Sequence, residues 1–327
     1  MSDSIENESA LDNEKHVAAS TTVRKKIVYI WDMDETLILL KSLLDGTYAV
    51  AFSGVKNVQR GIDIGKMWEK YILDVCDDYF FYEQIEQYNE PVIDALSSYD
   101  DGVDLSDYDF SQDSIGSPKD DINKRKLAYR HRIIAQKYKQ GLHSILDQKK
   151  IELLNDLYEM TDTYTDGWLS SARTLLQRCS GDRQLTSVDQ SEFECINILV
   201  TAGSLVPSLV KCLLFRLDSL ITCENIYSAW DVGKLRCFSW IKERYGGSDV
   251  QFCVIGDGWE ECEAAEFLKW PFVKIEPKPD GFHRFPGLTR ETVGHYLSVV
   301  YGRSSDAENG EDEVITSAST STQMKLL

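Results

Sequence analysis

The chain has 327 residues, 43% of them hydrophobic and 11% aromatic, which is enough apolar surface for a packed core in one or two domains and excludes global disorder. Thirty-five Lys and Arg against 54 Asp and Glu give a formal net charge of −19, a field that repels nucleic-acid phosphates and argues against direct nucleic-acid binding. The same field repels phosphorylated substrates, so a phosphate site in this chain needs local neutralisation by a metal or a placed Lys.

Residues 1–22 are polar, acidic and without periodicity, and are predicted to form a disordered tail. They contain no apolar run of the kind a signal peptide needs. Residues 26–31, Lys-Ile-Val-Tyr-Ile-Trp, form the first predicted strand. From about residue 57 to 178 the pattern is helical, with Ile151, Leu154, Leu157 and Tyr158 on one face. This block is expected to be a helical insertion over 46–189. It interrupts an α/β core formed by 23–45 and 190–303. Within it, residues 100–117 form an acidic Gly/Ser/Asp-rich loop that lacks the EF-hand spacing and reads as solvated. Residues 124–132 form a basic helix that reads as a solvated face, with attraction of anionic substrates or nuclear import as its functional alternatives.

Beyond the insertion, short β-rich runs at 196–200, 224–227, 251–255 and 272–275 alternate with helical patterns such as 205–217 and 232–245. Continuous apolar strands alternating with helices predict a parallel sheet covered on both faces. The most apolar stretch, 196–221, is broken by Pro207, Lys211, Arg216 and Asp218, which argues against a membrane span. Residues 304–327 are predicted to be a second disordered tail.

The eight cysteines form no Cys-x-x-Cys pair and read as reduced, buried thiols of a cytoplasmic or nuclear protein. None has an Arg six positions on: the nearest candidates, Cys179 with Arg183, Cys212 with Arg216 and Cys237 with Arg244, are wrongly spaced. That excludes thiol-based tyrosine phosphatase chemistry.

The sharpest feature is Trp31-Asp32-Met33-Asp34-Glu35-Thr36-Leu37, directly after the first strand. In an open α/β sheet, ligands bind beyond the carboxyl ends of the strands. Two carboxylates two residues apart, facing one pocket, require a cation or a proton. Mg²⁺ suits them, because it binds through one or two carboxylates together with a substrate phosphate. Three later loops complete the set: Thr201 after the second strand, Lys234 at a helix start, and Gly256-Asp257 after the fourth strand, with Glu261 four residues on.

This order suits phosphoryl transfer through an aspartyl-phosphate. Asp32 attacks phosphorus, while Mg²⁺ and Lys234 neutralise the approaching anions. Asp34 protonates the leaving oxygen and then activates water. Thr201 donates to a phosphoryl oxygen, with Ala202 beside it and Lys234 completing the substrate contacts. Asp32, Asp34 and Asp257 are the expected metal ligands, and Glu261 is expected to orient Lys234 or hold metal-bound water.

These motifs resemble the haloacid dehalogenase superfamily and, more narrowly, the Eyes absent family. The narrower resemblance rests on residues 31–38 and 42–49, then Leu105-Ser106-Asp107-Tyr108-Asp109-Phe110, Lys126-Leu127-Ala128-Tyr129-Arg130, Leu199-Val200-Thr201, residues 224–229 and Val254-Ile255-Gly256-Asp257-Gly258. It covers about residues 24–302. It implies a Rossmann-like haloacid dehalogenase core with an inserted helical cap, Mg²⁺, and phosphotyrosine in proteins as substrate. It also implies transcription-factor partners and a place in the nucleus, the cytoplasm or both. Only about 22 residues precede the match, as in a minimal plant-type member without the transactivation region of animal members. Met33 replaces the usual Leu, and Ala202-Gly203-Ser204 replaces a more polar turn. A small metabolite or phosphoserine as substrate, or a non-catalytic coactivator or scaffold role, are the competing expectations.

Overall fold

The structure, a computed structural model, describes residues 25–180 and 193–302. The tails expected at 1–22 and 304–327, and the insertion boundary expected at 189, lie outside the described residues. The elements run β1 (Lys25–Trp31), α1 (Lys41–Leu44), α2 (Thr47–Ala51), α3 (Val58–Phe80), α4 (Tyr82–Ile85), α5 (Asp121–Gln140), α6 (Gln148–Tyr164) and α7 (Trp168–Cys179). They continue as β2 (Phe193–Thr201), α8 (Leu205–Leu214), β3 (Ile226–Ser228), α9 (Lys234–Tyr245), β4 (Val250–Gly256), α10 (Trp259–Leu268), β5 (Phe272–Lys274) and α11 (Arg290–Tyr301).

The five strands form one parallel sheet in the order β3-β2-β1-β4-β5. From Ile27 to Trp31 the central strand β1 is continuously apolar, as suits a strand covered on both faces. Ile27, Tyr29 and Trp31 join one buried cluster, and Val28 and Ile30 join another on the opposite face. From β1 the chain builds outward to β2 and β3, then returns to β4 on the other side. The switch in strand order therefore falls at β1, and the loops leaving β1, β2 and β4 diverge around one crevice.

All seven helices α1–α7 lie between β1 and β2 in the chain, so the α/β core carries an inserted helical cap. The longer ones start on side-chain caps: Asn57 accepts from the Arg60 N–H, Asp120 from Asn123, and Asp147 from Lys150. Ile151, Leu154, Leu157 and Tyr158 are buried along α6. The insertion shares one apolar cluster with the sheet face that carries Tyr29 and Trp31. Trp68 of α3 stacks on Phe215, just past α8, with ring centroids 4.1 Å apart. Trp68 also donates through Nε1 to Thr161 of α6.

The basic helix is not a solvated face. It is the start of α5, and the acidic loop folds over it. Arg130 is fully buried and donates to the Gln84 side chain, to the Asp113 carboxylate and to the main-chain oxygens of Phe110 and Asp113. Lys126 pairs with Asp113 at 2.7 Å and Arg132 with Asp100 at 3.0 Å. Two segments of opposite charge, each reading as solvated alone, satisfy one another once they are folded together. Two element ends also move. The helix expected to run to 217 stops at Leu214, where Arg216 turns to a left-handed φ of 61°. The strand expected from 224 begins at Ile226, after a 3-10 turn at Cys223–Asn225. All eight cysteines are free, six of them buried. Among the described residues no helix is long and apolar enough to cross a membrane.

Candidate active site

The loop after β1 is a tight reversal. Glu35 takes φ 62°, its N–H meets the Ile38 oxygen, and the Leu37 and Ile38 N–H groups converge on the Met33 oxygen. The Glu35 carboxylate accepts from the N–H groups of Leu40 and Ser42, which anchors the chain entering α1. The Asp32 N–H donates to Ile255 on β4 and extends the ladder one residue past β1. Asp32 is thereby fixed at the strand's carboxyl end.

Around it converge Thr36 of the same loop and three side chains from two other places in the chain. Lys234, the first residue of α9, donates to Asp32 Oδ1 at 2.6 Å and to Glu261 Oε2 at 2.7 Å. Glu261 is also held by the Gly258 N–H at the start of α10. The Thr36 hydroxyl lies 3.2 Å from Asp32 Oδ2 and 3.4 Å from Asp257 Oδ1, and its one proton serves one of them at a time. The indole N–H of Trp168, from the insertion, donates to the Thr36 oxygen and braces this loop from behind. Gly256 has no room for a side chain, because a Cβ there would stand 2.6 Å from Glu261 Oε1.

Asp32, Lys234 and Glu261 are buried at 7%, 6% and 2% exposure. Burial works against the Lys234 charge, but Asp32 and Glu261 outweigh it and hold the ammonium up at about 12. Burial pushes the Asp32 carboxyl up to about 7; Lys234 opposes this and Glu261 adds to it. Asp257 is raised too, by burial and then by Glu261. Carboxylate oxygens of Asp32, Asp257 and Glu261 lie within 4.8 Å of one another. Three carboxylates against one ammonium leave an excess of two negative charges, the charge of one divalent cation. Hard oxygen donors in a buried, over-acidic cluster fit Mg²⁺.

The expected residues divide in the fold. Asp32, Asp257, Lys234 and Glu261 come together. The Asp34 carboxylate instead accepts from Lys211 on α8, at 2.8 Å from both oxygens, and is a third exposed. Thr201 ends β2, two residues beyond Leu199, the register partner of Trp31. Its hydroxyl accepts from the Gly203 N–H at 3.1 Å, which closes the turn that exposes Ala202. Sequence reasoning missed three contributors. Lys211 carried a signal, a lone cation inside the apolar run of α8. Thr36 stood in the first motif without a role. Asn89, in the insertion, carried no signal. Its Oδ1 accepts from the Leu205 N–H, and its Nδ2 donates to Asp231 at 2.9 Å and to Ser228 at 3.3 Å. It ties the insertion to the loops after β2 and β3.

Fold and site together define a protein of haloacid dehalogenase type, a parallel Rossmann-like sheet with a carboxylate–lysine cluster at its carboxyl edge and a helical cap inserted after the first strand. No protein-family model matches the chain. It is 58% identical over 288 residues to Protein phosphatase EYA of Arabidopsis thaliana, covering 87% of this chain and 94% of that protein. It is 34% identical to human Protein phosphatase EYA2 over 84% of this chain and 50% of that protein. To Protein phosphatase eya of Drosophila melanogaster it is 34% identical, over 77% of this chain and 34% of that protein. The chain belongs to the Eyes absent family of protein phosphatases.

Proposed function

We propose that the chain hydrolyses phosphotyrosine in proteins through an aspartyl-phosphate intermediate, with Mg²⁺ as cofactor. The observation that carries this reading is the Lys234 ammonium bridging Asp32 and Glu261 at the carboxyl edge of β1. The second oxygen of Asp32 meets the Thr36 hydroxyl, which also reaches Asp257, and this polar surrounding supports a reacting carboxylate.

Asp32 forms a bond to phosphorus as the bond to the tyrosyl oxygen breaks, and Asp34 gives that oxygen a proton. Water then attacks the acyl phosphate and loses a proton to Asp34. Inorganic phosphate leaves and both carboxyl groups regain their starting states. Lys234 and the Thr201 turn face the phosphoryl oxygens. Asp32 and Asp257 would hold Mg²⁺, which supplies charge neutralisation on the phosphoryl group. Asp34 is included in the metal set through its place in the same loop, since its carboxylate is engaged by Lys211.

Two observations favour an aromatic ester. Trp230, just after β3, and Trp259, at the start of α10, are exposed at 67% and 72% on this edge of the sheet. Both lie on segments that follow strands at the sheet's carboxyl edge, and exposed aromatic surface there suits a tyrosyl ring. The test compares release of phosphate from a phosphotyrosine and a phosphoserine peptide, with Mg²⁺ and then EDTA, in the presence of a thiol alkylator. Metal-dependent, alkylator-resistant release from phosphotyrosine alone supports the proposal. Release from phosphoserine at a comparable rate defeats its substrate half, and alkylator sensitivity defeats its mechanism.

A further inference from the structure

The insertion meets the core through two kinds of contact. An apolar cluster joins it to the sheet face that carries Tyr29 and Trp31. Apolar contacts are non-directional and fix proximity only. The other contact is polar, and it ends on the loops that leave β2 and β3. Leu205, the first residue of α8, is 1% exposed, and its N–H is among those that a helix start leaves without an intrahelical partner. Ser204 before it makes no side-chain bond to the helix start. The acceptor comes instead from the insertion, as Asn89 Oδ1 at 2.8 Å.

The same amide reaches the second loop. Asn89 Nδ2 donates to Asp231 Oδ2 at 2.9 Å and to Ser228 Oγ at 3.3 Å. The Pro91 oxygen, two residues on, accepts from the Ser228 N–H at 2.8 Å. Ser228 is 1% exposed and carries the constraint back to the Thr201 turn, because its hydroxyl donates to the Gly203 oxygen at 2.8 Å. Thr201 and Ser228 are also register partners, and the Ala229 N–H donates to the Thr201 oxygen at 2.8 Å. Gly203 is therefore held at both ends, by Ser228 through its oxygen and by Thr201 Oγ1 through its N–H.

Two groups of the candidate site depend on these loops. The Thr201 hydroxyl accepts from Gly203, which leaves its own proton for a phosphoryl oxygen. The Gly233 N–H donates to the Ala229 oxygen at 2.8 Å and closes the turn that holds Asp231 and ends at Lys234. Only a side chain with an acceptor and a donor on one planar group bridges a main-chain N–H and a carboxylate at once; Asp accepts only, and Ala does neither.

We infer that Asn89 is a positioning residue for phosphoryl transfer, through which the insertion sets the Thr201 turn against the loop that carries Lys234. The inference rests on the phosphatase reading for its reaction and on the hydrogen-bond network for its geometry. The experiment uses the full chain with Asn89→Ala, Asn89→Asp, Asp231→Asn and the double variant Asn89→Asp/Asp231→Asn, under conditions where unfolding curves show each variant folded. The readouts are kcat and KM on p-nitrophenyl phosphate and on a phosphotyrosine peptide, and calorimetric binding of inorganic phosphate with Mg²⁺.

Asn89→Ala is expected to lower kcat on both substrates, and to weaken phosphate binding, about tenfold each, because a displaced turn misplaces the phosphoryl group whatever its leaving group. Asn89→Asp keeps an acceptor for Leu205 but sets a carboxylate against Asp231, and is expected to lose rate and affinity as well. The double variant exchanges donor and acceptor across the same gap and is expected to return both readouts to within about threefold of the parent. If Asn89→Ala does not fold, Asn89→Asp and the double variant decide. Parent-like kcat and phosphate affinity in the folded Asn89 variants overturn the inference, as does a loss confined to the peptide. A double variant no better than Asn89→Asp in kcat and phosphate affinity, even with its unfolding stability restored, also overturns it and leaves Asn89 as a fastening of the insertion. If the parent hydrolyses neither substrate, the catalytic reading fails and phosphate binding decides: weaker binding in Asn89→Ala that the double variant restores supports the positioning role, and equal binding, or none by the parent, overturns it.

Discussion

Lys211 donates to both carboxylate oxygens of Asp34 at 2.8 Å, reaching from α8 into the loop that carries the proposed nucleophile. The two residues are 177 positions apart in the chain. The contact fixes the direction of the carboxylate proposed to protonate the leaving oxygen. An arriving phosphoryl group is an alternative anion for that ammonium, so Lys211 can aim the Asp34 carboxyl at the crevice and then help to neutralise the phosphate.

Lys211→Met is therefore expected to lower kcat on a phosphotyrosine peptide by about 10- to 100-fold, part of what a general acid contributes. The loss on p-nitrophenyl phosphate should be smaller, because its leaving group needs less proton assistance. Equal losses on the two substrates would show that Lys211 does not act through Asp34.

The two exposed tryptophans after β3 and β4 test the aromatic part of the substrate reading. Trp230→Ala and Trp259→Ala each remove an exposed ring, and the fold should tolerate both. A stacking contact worth about 0.5–1.5 kcal/mol predicts a KM for phosphotyrosine peptides raised about two- to tenfold, with kcat nearly unchanged. Steady-state kinetics on a phosphotyrosine peptide and on an alkyl phosphate would separate the cases. A KM increase shared by both substrates would mean the rings do not read the tyrosyl group.

Arg130 carries the contact between the acidic loop and α5. Arg130→Ala leaves the Gln84 side chain and the main-chain oxygens of Phe110 and Asp113 without this donor, and leaves the Asp113 carboxylate to Lys126 alone. Breaking a buried pair on one side costs about 3–5 kcal/mol. Denaturant unfolding should show that loss, while Lys119→Ala, an exposed change in the neighbouring loop, should stay within about 0.5 kcal/mol of the parent. A small loss at Arg130 would mean that the loop detaches without cost to the core.

His131 makes stability depend on pH. Its folded pKa of about 4 lies below the ordinary 6.5, so between these values the unfolded chain binds the proton and the folded chain does not. Its contribution is present above about pH 6.5 and is lost as pH falls toward 4. The full swing is roughly 3 kcal/mol. The difference in unfolding free energy between pH 7 and pH 5 should shrink in His131→Gln. An unchanged slope would mean that the folded ring takes up its proton over the same pH range as the unfolded chain.

The sequence by itself determined the strand-and-helix alternation, because short, β-branched apolar runs between longer helical periods suit strands covered on both faces. It also determined the place of the carboxylate–lysine cluster. Asp32 follows the first strand, and Thr201, Lys234 and Asp257 recur at or near later strand ends, so a parallel sheet must bring them to one edge. The meeting of Asp32, Lys234 and Glu261 was legible for that reason.

Tertiary structure decided the partners that depend on which helix faces which loop. Lys211 reads as a lone cation in an apolar helix until α8 packs beside the β1 loop. Asn89 reads as an ordinary loop amide until the insertion lies across the ends of β2 and β3. The acidic loop and the basic helix each look solvated along the chain. Their charges are neutralised only when the loop closes over Arg130. Periodicity encodes which face of an element is buried, whereas pairing between distant polar groups depends on relative placement, which no local pattern contains.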